Sequence, residues 1–288
     1  MAETQFERPK TVREAVKILN NAKGKAKVLA GGTDLLVQLR AGMVKPGLIV
    51  DLKGIPELTQ IKREKNGFRI GAAVSGATLG KNKAVCKAWP GVVEGLELIG
   101  STQIQGRASL GGNLCNGSPA ADSVPGMIAA GATVKIAGPK GTRTARVEEI
   151  VTGPGKTSLK KGEFVVSIFL PSRPKRSGDA YLRFIPRTEM DIAVVGAGVS
   201  LVVDTKGVIT DARVALGAVA PKPLLVKDGA KALIGSALDD DALDALSTAA
   251  SAACNPINDK RGTVEYRTRV AGVLARRAAK IAYERAGA

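Results

Sequence analysis

Two pairs of adjacent glycines are the residues in this sequence best suited to chemistry. The first pair stands in KVLAGGTDLL, where a short apolar run leads into Gly31 and Gly32 and then into Thr33 and Asp34. Paired glycines let the backbone approach a ligand with no Cβ in the way, and a helix N-terminus presents free N–H groups to an anion. The pattern therefore favours a pyrophosphate cradle, although an ordinary tight turn has the same pattern.

The second pair corroborates the first. It lies in SLGGNLCNGSPAADS, a run with almost no large side chains, in which Gly111 and Gly112 are followed by Asn113, Asn116 and Asp122. The Asn113 amide can donate a hydrogen bond, and a carboxylate such as Asp122 suits ribose or ribityl hydroxyls. Two glycine loops that face one diphosphate would make a coherent site, whereas the alternative is an ordinary glycine-rich loop.

The residue inventory excludes several kinds of active site. The sequence has no histidine, which removes Ser-His-Asp triads and histidine-ligated zinc, and its three cysteines are scattered without CxxC spacing. We therefore expect no metal in this chain and no catalytic side chain of its own, so that catalysis depends on a bound cofactor. The formal charge of +17 would attract nucleic acid, an anionic cofactor or an acidic partner protein.

Two further motifs imitate nucleotide-binding signatures. TGPGKTS resembles the end of a P-loop, but Ile150 stands where the first glycine of that motif is required, and a surface turn between strands is the better interpretation. VVGAGVSL begins like a dinucleotide fingerprint, but Leu201 breaks the spacing and the sequence continues as a strand. The sequence therefore predicts neither a P-loop nor a Rossmann fold.

The elements that must position the glycine loops can be predicted from periodicity and punctuation. TVREAVKILNNA predicts a helix, KVLAGG a strand, and LLVQLRAG a helix with Thr33 or Asp34 as its N-cap and Gly42 as its end. PGLIVDL, FRIGAAV and EFVVSIFLP predict short strands, the segment from Trp89 to Gly106 predicts a helix, and RASLGGNLCNGSPAADSVPG predicts a loop. The remainder predicts strands followed by alanine-rich helices, the last of which is amphipathic.

The same survey predicts the domain organisation. A stretch rich in proline, glycine and charge, PSRPKRSGD, places a domain boundary near residue 175. The N-terminus lacks the apolar region of a signal peptide, and no apolar run reaches the ~18 residues that a membrane span needs. We therefore expect a soluble, cytoplasmic protein.

At this point four segments carry a family resemblance. VLAGGTDLL, ASLGGNLCNGSPAADS, RFIPRTEMDIAVVGAGV and PINDKRGTVEYRTRVAGVLARRA, in this order, resemble the FAD-binding medium subunit of the molybdenum hydroxylases, the xanthine dehydrogenase and carbon monoxide dehydrogenase type. The resemblance implies an α+β fold with a PCMH-type FAD-binding domain (1–175, subdomains about 1–57 and 58–175) and a smaller C-terminal α/β domain (176–288).

The resemblance also implies a function and partners. A small subunit with two [2Fe–2S] clusters and a large subunit with the molybdenum cofactor would join this chain, as a heterotrimer that forms a dimer. Electrons would pass from the clusters to FAD on this chain and then to NAD or another acceptor. The alternatives are a basic nucleic-acid-binding module, which dispersed cations and 3% aromatic residues disfavour, and a flavin-free assembly subunit, which intact glycine loops disfavour.

The resemblance implies particular FAD contacts. On the pyrophosphate and adenosine side they are Val28, Leu29, Ala30, Gly31, Gly32, Thr33, Asp34 and Leu35. The facing loop would contribute Ala108, Ser109, Gly111, Gly112, Asn113, Cys115 and Asn116. Asp122 would bind flavin-side hydroxyls, and Val166 and Arg183 would approach the isoalloxazine end.

Two positions depart from the family pattern. The first loop of this chain has the sequence AGGTD, whereas the same loop of carbon monoxide dehydrogenases has a sequence like AGGHS. This difference disfavours carbon monoxide as the substrate of the complex. Several family members carry lysine where this chain has Arg183, and arginine keeps the charge with a different donor geometry.

Overall fold

The N-terminal unit is a small parallel sheet whose strand ends carry the first glycine pair. The computed structural model describes residues 4–22, 25–187 and 190–287. The elements of this unit are β1 (Gln5–Glu7), α1 (Val12–Asn21), β2 (Ala26–Leu29), α2 (Leu35–Arg40) and β3 (Leu48–Asp51). The strands are parallel in the order β1-β3-β2, so the turn after β2 leaves from the carboxyl edge of the sheet, where open α/β sheets bind ligands.

The predicted elements of this unit are confirmed, with one difference at α2. The Thr11 hydroxyl caps α1 by accepting from the N–H of Glu14 at 3.1 Å, and Gly42 adopts a φ of 68° after α2. Asp34 stands at the N-cap position of α2, but its backbone is already helical and its side chain makes no capping hydrogen bond. The first turn of α2 therefore lacks a side-chain cap.

The middle unit is a five-stranded antiparallel sheet covered on one face by helices. Its strands run in the order β4-β5-β10-β6-β7, and β8 and β9 form a separate hairpin around the TGPGKTS turn, as predicted. The elements, in chain order, are β4 (Ile61–Glu64), β5 (Gly67–Gly71), α3 (Gly76–Gly80), α4 (Lys83–Ala88), α5 (Pro90–Glu97), α6 (Thr102–Gln105), α7 (Leu110–Asn116), α8 (Ser123–Ala129), β6 (Thr133–Gly138), β7 (Gly141–Arg146), β8 (Val151–Gly153), β9 (Lys156–Thr157) and β10 (Phe164–Pro171).

The segment RASLGGNLCNGSPAADSVPG is not the predicted loop, because it contains α7 and the first turn of α8. Gly117, with a φ of 68°, ends α7 in a left-handed cap. The small residues reflect close packing of helices: a Cβ on Gly126 would lie 2.8 Å from the carbonyl oxygen of Gly91 in α5. Sequence composition that is typical of loops therefore serves here to bring helix backbones together.

The C-terminal unit is a four-stranded antiparallel sheet with three helices. The strands run in the order β11-β12-β13-β14, and α11 packs across β11 and β12. The elements are β11 (Ser177–Phe184), β12 (Val195–Val203), β13 (Ile209–Gly217), β14 (Leu224–Leu225), α9 (Lys227–Leu233), α10 (Asp240–Ala252) and α11 (Val264–Arg285). The α+β architecture expected from the sequence is confirmed.

The middle and C-terminal units share a buried contact. All seven residues of α8 are buried, and the helix lies between α5 on one side and β12 and β13 on the other. The close approach is again made by glycines, because a Cβ on Gly198 in β12 would lie 2.7 Å from the carbonyl oxygen of Pro125 in α8. The Arg213 side chain of β13 also donates to the carbonyl oxygen of Ile128 at 3.0 Å. The helix after the second glycine pair is thus held by the C-terminal sheet.

A second cluster joins the same two units. The Arg173 guanidinium donates to the Asp179 carboxylate at 2.7 Å and lies over the Trp89 ring at 4.7 Å. The other Asp179 oxygen accepts from the N–H of Gly91 at 2.8 Å.

In the described part of the chain, no helix is long and apolar enough to span a bilayer.

Candidate cofactor-binding site

The two glycine pairs face each other across one cavity. The cavity is lined by the turn after β2 and by α7, and a Cβ on Gly112 would lie 3.8 Å from the Cβ of Ala30. The two sides are also joined by a hydrogen bond of 3.2 Å from the Gln38 amide to the Asn116 side-chain oxygen. The fold therefore brings both glycine pairs to one cavity, although the two pairs are some eighty positions apart in the sequence.

The first turn presents unused hydrogen-bond donors to this cavity. Gly32 has a φ of 84°, and a Cβ on Gly31 would collide with the carbonyl oxygen of Arg107, so both positions require glycine. Among the residues that the structure describes, the backbone N–H groups from Gly31 to Asp34 have no protein acceptor. Unpaired amides at the edge of a cavity are suited to an anion such as a diphosphate.

The second turn uses some of its polar groups in hydrogen bonds within the protein. The Ser109 hydroxyl caps α7 by accepting from the N–H of Gly112 at 3.1 Å. The side-chain oxygen of Asn113 accepts from the N–H and the hydroxyl of Ser123, at 3.2 and 2.7 Å. Because the Asn113 oxygen is held by protein donors, its NH₂ group is the part of the amide available to a ligand.

Most of the predicted contact residues line the cavity. From the first loop they are Val28, Ala30, Gly31, Gly32, Thr33, Asp34 and Leu35, and from the second loop Ala108, Ser109, Gly111, Gly112, Asn113, Cys115 and Asn116. Leu29, Asp122, Val166 and Arg183 are not among the lining residues. The structure thus brings most residues of the two predicted loops to one cavity, whereas the three residues assigned to the flavin side lie outside its lining.

Asp122 and Arg183 are paired with each other in the wall. The two Asp122 oxygens accept from the Tyr181 hydroxyl at 3.0 Å and from Arg183 at 2.9 Å, and burial raises the pKa of Asp122 to about 6 although Arg183 opposes the shift. Arg183 also donates to the carbonyl oxygen of Leu98 at 2.7 Å, beside Ile99 of the cavity lining. The carboxylate predicted to hold flavin hydroxyls instead binds two side chains of β11.

Val166 is displaced from the cavity by strand alternation. Successive residues of a strand point to opposite faces, and β10 has a bulge between Val165 and Ser167. Val165 lines the cavity, whereas Val166 is fully buried and packs with Ala15 and Leu19 of the N-terminal unit. Val166, which the resemblance implies as a contact, is therefore next to the residue of β10 that faces the cavity.

Sequence reasoning missed several other lining residues. They are Lys27, Gln38, Leu52, Ala72, Ala73, Ile99, Leu159, Glu163, Phe164 and Val165. Lys27 directly precedes the predicted first loop, so its position offered a signal, and its ammonium suits an anionic ligand. The apolar residues carry no such signal, because an isolated isoleucine or leucine is equally suited to an ordinary core.

Two carboxyl groups at the cavity have opposite pKa shifts. Burial raises the pKa of Asp34, which favours its neutral form. The Arg143 guanidinium lowers the pKa of Glu163 to about 2 through two hydrogen bonds of 2.9 and 2.8 Å, with a further contribution from the N–H of Lys160. Glu163 is therefore a fixed negative charge that is already paired with Arg143.

Cys115 has the properties of a packing residue. Burial raises the pKa of the Cys115 thiol to about 12, so the reactive thiolate is not formed at neutral pH. The side chain packs against the core of the middle unit. Although Cys115 lines the cavity, these two properties are those of a side chain that packs and not of a reactive thiol.

Comparison with known proteins identifies similar chains over the full length. A profile described as "FAD binding domain in molybdopterin dehydrogenase" matches residues 2–173, and one described as "CO dehydrogenase flavoprotein C-terminal domain" matches residues 180–282. The carbon monoxide dehydrogenase medium chain of Afipia carboxidovorans is 34% identical over 98% of this chain and 97% of its own length. The xanthine dehydrogenase FAD-binding subunit of Escherichia coli O157:H7 is 30% identical over 98% and 97%. The solved structure of reconstituted CO dehydrogenase from Oligotropha carboxidovorans superposes with a TM-score of 0.93, at 33% identity and 98% coverage of both chains.

Proposed function

Since the chain belongs to the family of FAD-binding medium subunits of molybdenum hydroxylases, we propose that it is the electron-relaying subunit of such a cytoplasmic enzyme. In this proposal it takes electrons from [2Fe–2S] clusters of a small partner subunit and passes them to NAD or another acceptor. A large partner subunit with the molybdenum cofactor oxidises the substrate, and the complex is a dimer of heterotrimers. The chain itself is a subunit of an oxidoreductase and carries the FAD-binding domain.

The observation that supports this function most directly is the pair of facing glycine turns. The N–H groups from Gly31 to Asp34, which have no acceptor among the described residues, are donors for one side of the FAD diphosphate. The side of Gly112 that faces the cavity allows the other side of the diphosphate to approach α7. Lys27 adds a positive charge at the same cavity. When bound, FAD supplies the exchange between one-electron and two-electron transfer that such a relay needs.

We assign further roles to the remaining wall of the cavity. The NH₂ group of Asn113 is a donor to the cofactor, and Val165, Ile99 and Leu159 exclude water from its apolar parts. Asp122 and Arg183 act as a pair behind Ile99, where the Arg183 charge remains close to the isoalloxazine end. Leu29 supports the site from beside Gly32, and Val166 supports it from the core. Residues 1–175 form the FAD-binding domain (subdomains about 1–57 and 58–175) and 176–288 the C-terminal domain.

Flavin titration of the purified full chain tests the binding proposal. We expect one FAD per chain, bound with quenching of its fluorescence and displaced by excess ADP, because the diphosphate contacts are shared. A duplex DNA of mixed sequence is the control ligand for the basic surface. A colourless chain that takes up no FAD and retains DNA at physiological salt would contradict the proposal.

The relay is tested in the assembled enzyme with its partner subunits. The complex is prepared with FAD and after its removal, and substrate is added without oxygen. We expect substrate to bleach the iron–sulfur absorbance in both preparations and the acceptor to be reduced only by the preparation with FAD. Equal rates of acceptor reduction in both preparations would contradict the relay.

A further inference from the structure

Lys53 holds the backbone of the first glycine turn from behind. Its ammonium group donates to the carbonyl oxygen of Ala30 at 2.7 Å and to the Asp51 carboxylate at 2.6 Å. The same Asp51 oxygen accepts from the backbone N–H of Lys53 at 3.0 Å. Asp51 is 6% exposed, so it is a fixed anchor for this lysine. Lys53 is therefore tethered at both its main chain and its side chain.

The bond to Ala30 constrains the peptide group that enters the glycine pair. The Ala30–Gly31 peptide is trans, and in a planar trans peptide the C=O and the N–H point in opposite directions. When the Ala30 carbonyl points to Lys53, the N–H of Gly31 must point away from Lys53. Gly31 is one of the consecutive residues whose N–H groups have no acceptor in the described part of the chain.

Glycine makes this constraint necessary. Glycine can adopt more backbone conformations than any other residue type. The sequence alone therefore does not fix which way the N–H groups of Gly31 and Gly32 face. A charge-assisted hydrogen bond to the preceding carbonyl is among the stronger bonds that a protein can make. Lys53 does not itself line the cavity, whereas Lys27 does, so Lys53 acts through the backbone and not by contact with a ligand.

We propose that Lys53, oriented by Asp51, is a positioning residue that presets the first glycine turn for a nucleotide diphosphate. The inference deepens the proposed FAD function and depends on it. The lysine fixes the Ala30 peptide before the ligand arrives, so the cost of ordering the turn is met during folding. Affinity for the diphosphate part of the ligand is the property that Lys53 controls.

The test compares full-length variants for binding of FAD and of ADP, which contains the diphosphate without the isoalloxazine. Lys53→Met keeps the aliphatic stem and removes the donor, and Lys53→Arg keeps a donor. Lys222→Met is the matched control, because Lys222 is exposed on a turn of the C-terminal unit and its change removes the same charge. The double variant Lys53→Met with Asp51→Asn also removes the carboxylate that the single change leaves without its ammonium partner.

We expect Lys53→Met and the double variant to weaken the binding of FAD and of ADP by the same factor, about tenfold, because the ligand must then order the backbone of about one residue itself. Lys53→Arg should recover most of the affinity, and Lys222→Met should bind like the unmodified chain. Unchanged ADP binding by the double variant, or an equal loss with Lys222→Met, would overturn the inference. Failure of the unmodified chain to bind FAD would instead overturn the proposed function.

Discussion

The two glycines of the second turn are adjacent, but a methyl group added to each would meet different surroundings. On Gly111 the new Cβ would lie 2.5 Å from the carbonyl oxygen and 2.6 Å from the Cβ of Ala72, which are parts of the fold. On Gly112 it would lie 3.0 Å from the Ser109 hydroxyl and 3.8 Å from the Cβ of Ala30, on the opposite side of the cavity. A substitution at Gly111 should therefore change the stability of the fold, whereas a substitution at Gly112 should change the binding of FAD.

The expected magnitudes differ accordingly. Gly111→Ala overpacks the contact with Ala72 and should lower the free energy of unfolding of the apo-chain by about 1–3 kcal/mol. Gly112→Ala lies inside α7, where alanine is favoured over glycine by up to ~1 kcal/mol, which offsets the small movement of the Ser109 hydroxyl. Its apo-chain should therefore unfold within about 0.5 kcal/mol of the unmodified chain.

Binding should show the opposite order. A methyl on Gly112 closes the gap between the two turns and keeps the diphosphate from α7, so one or more bonds of ~1.5–3 kcal/mol to a charged acceptor are lost. This corresponds to a Kd for FAD raised about 10- to 150-fold. The larger Gly112→Val change should give folded apo-chain that does not retain FAD.

The assay combines urea unfolding of each apo-chain with a fluorescence titration of FAD at a temperature where both variants are folded. If Gly112→Ala bound FAD as tightly as the unmodified chain, the diphosphate could not lie between the two turns. The assignments from Ala108 to Asn116 would then have to be abandoned. A large loss of stability in Gly112→Ala alone would contradict the orientation that the structure gives to this glycine.

Three further outcomes are expected. Cys115→Ala should keep FAD and the rate of acceptor reduction nearly unchanged, and lost turnover with retained flavin would contradict its role as a packing residue. Glu163 has a folded pKa of about 2, below its ordinary 4.5, so its pair with Arg143 stabilises the fold above pH ~4.5 and loses this effect as the pH falls toward 2. The free energy of unfolding of Glu163→Gln should therefore be about 1–3 kcal/mol below that of the unmodified chain at pH 7. The difference should be clearly smaller at pH 3 and disappear only near pH 2, and equal differences at pH 7 and pH 3 would refute the pairing. Association with the partner subunits should weaken as salt rises, because the +17 charge is screened over ~8–10 Å, and salt-independent affinity would exclude an electrostatic contribution.

The two glycine turns that line the cavity could be predicted from the sequence because the close approach at each turn depends on the backbone. Gly31, Gly32, Gly111 and Gly112 are needed for close approach, and a requirement for glycine is visible in the sequence itself. The helices α1 and α11 were also predictable, since their apolar spacing and hydroxyl caps are local signals. Elements whose structure depends on neighbouring residues could therefore be predicted from the sequence.

The positions of Val166 and Asp122 relative to the cavity depended on information that is not local. A one-residue bulge in β10 decided that Val165 and not Val166 faces the cavity, and no pattern in VVSIFL marks that bulge. Asp122 had the right type for a sugar hydroxyl, but Tyr181 and Arg183 reach it from another unit. The mistaken loop at RASLGGNLCNGSPAADSVPG has the same cause, because its glycines serve contacts between distant helices and strands.

The burial of α8 against β12 and β13 also determines when this helix can complete its packing during synthesis. A ribosome makes about 5–20 residues each second, so the strands that cover α8 emerge several seconds after the helix does. During that interval the nascent chain contains both glycine turns, but the Pro125 surface and the Ile128 carbonyl still lack the partners that Gly198 and Arg213 provide. A nascent chain stalled before β12 should therefore expose α8 to chaperones, and the packing that holds this helix beside α7 is completed only late in synthesis.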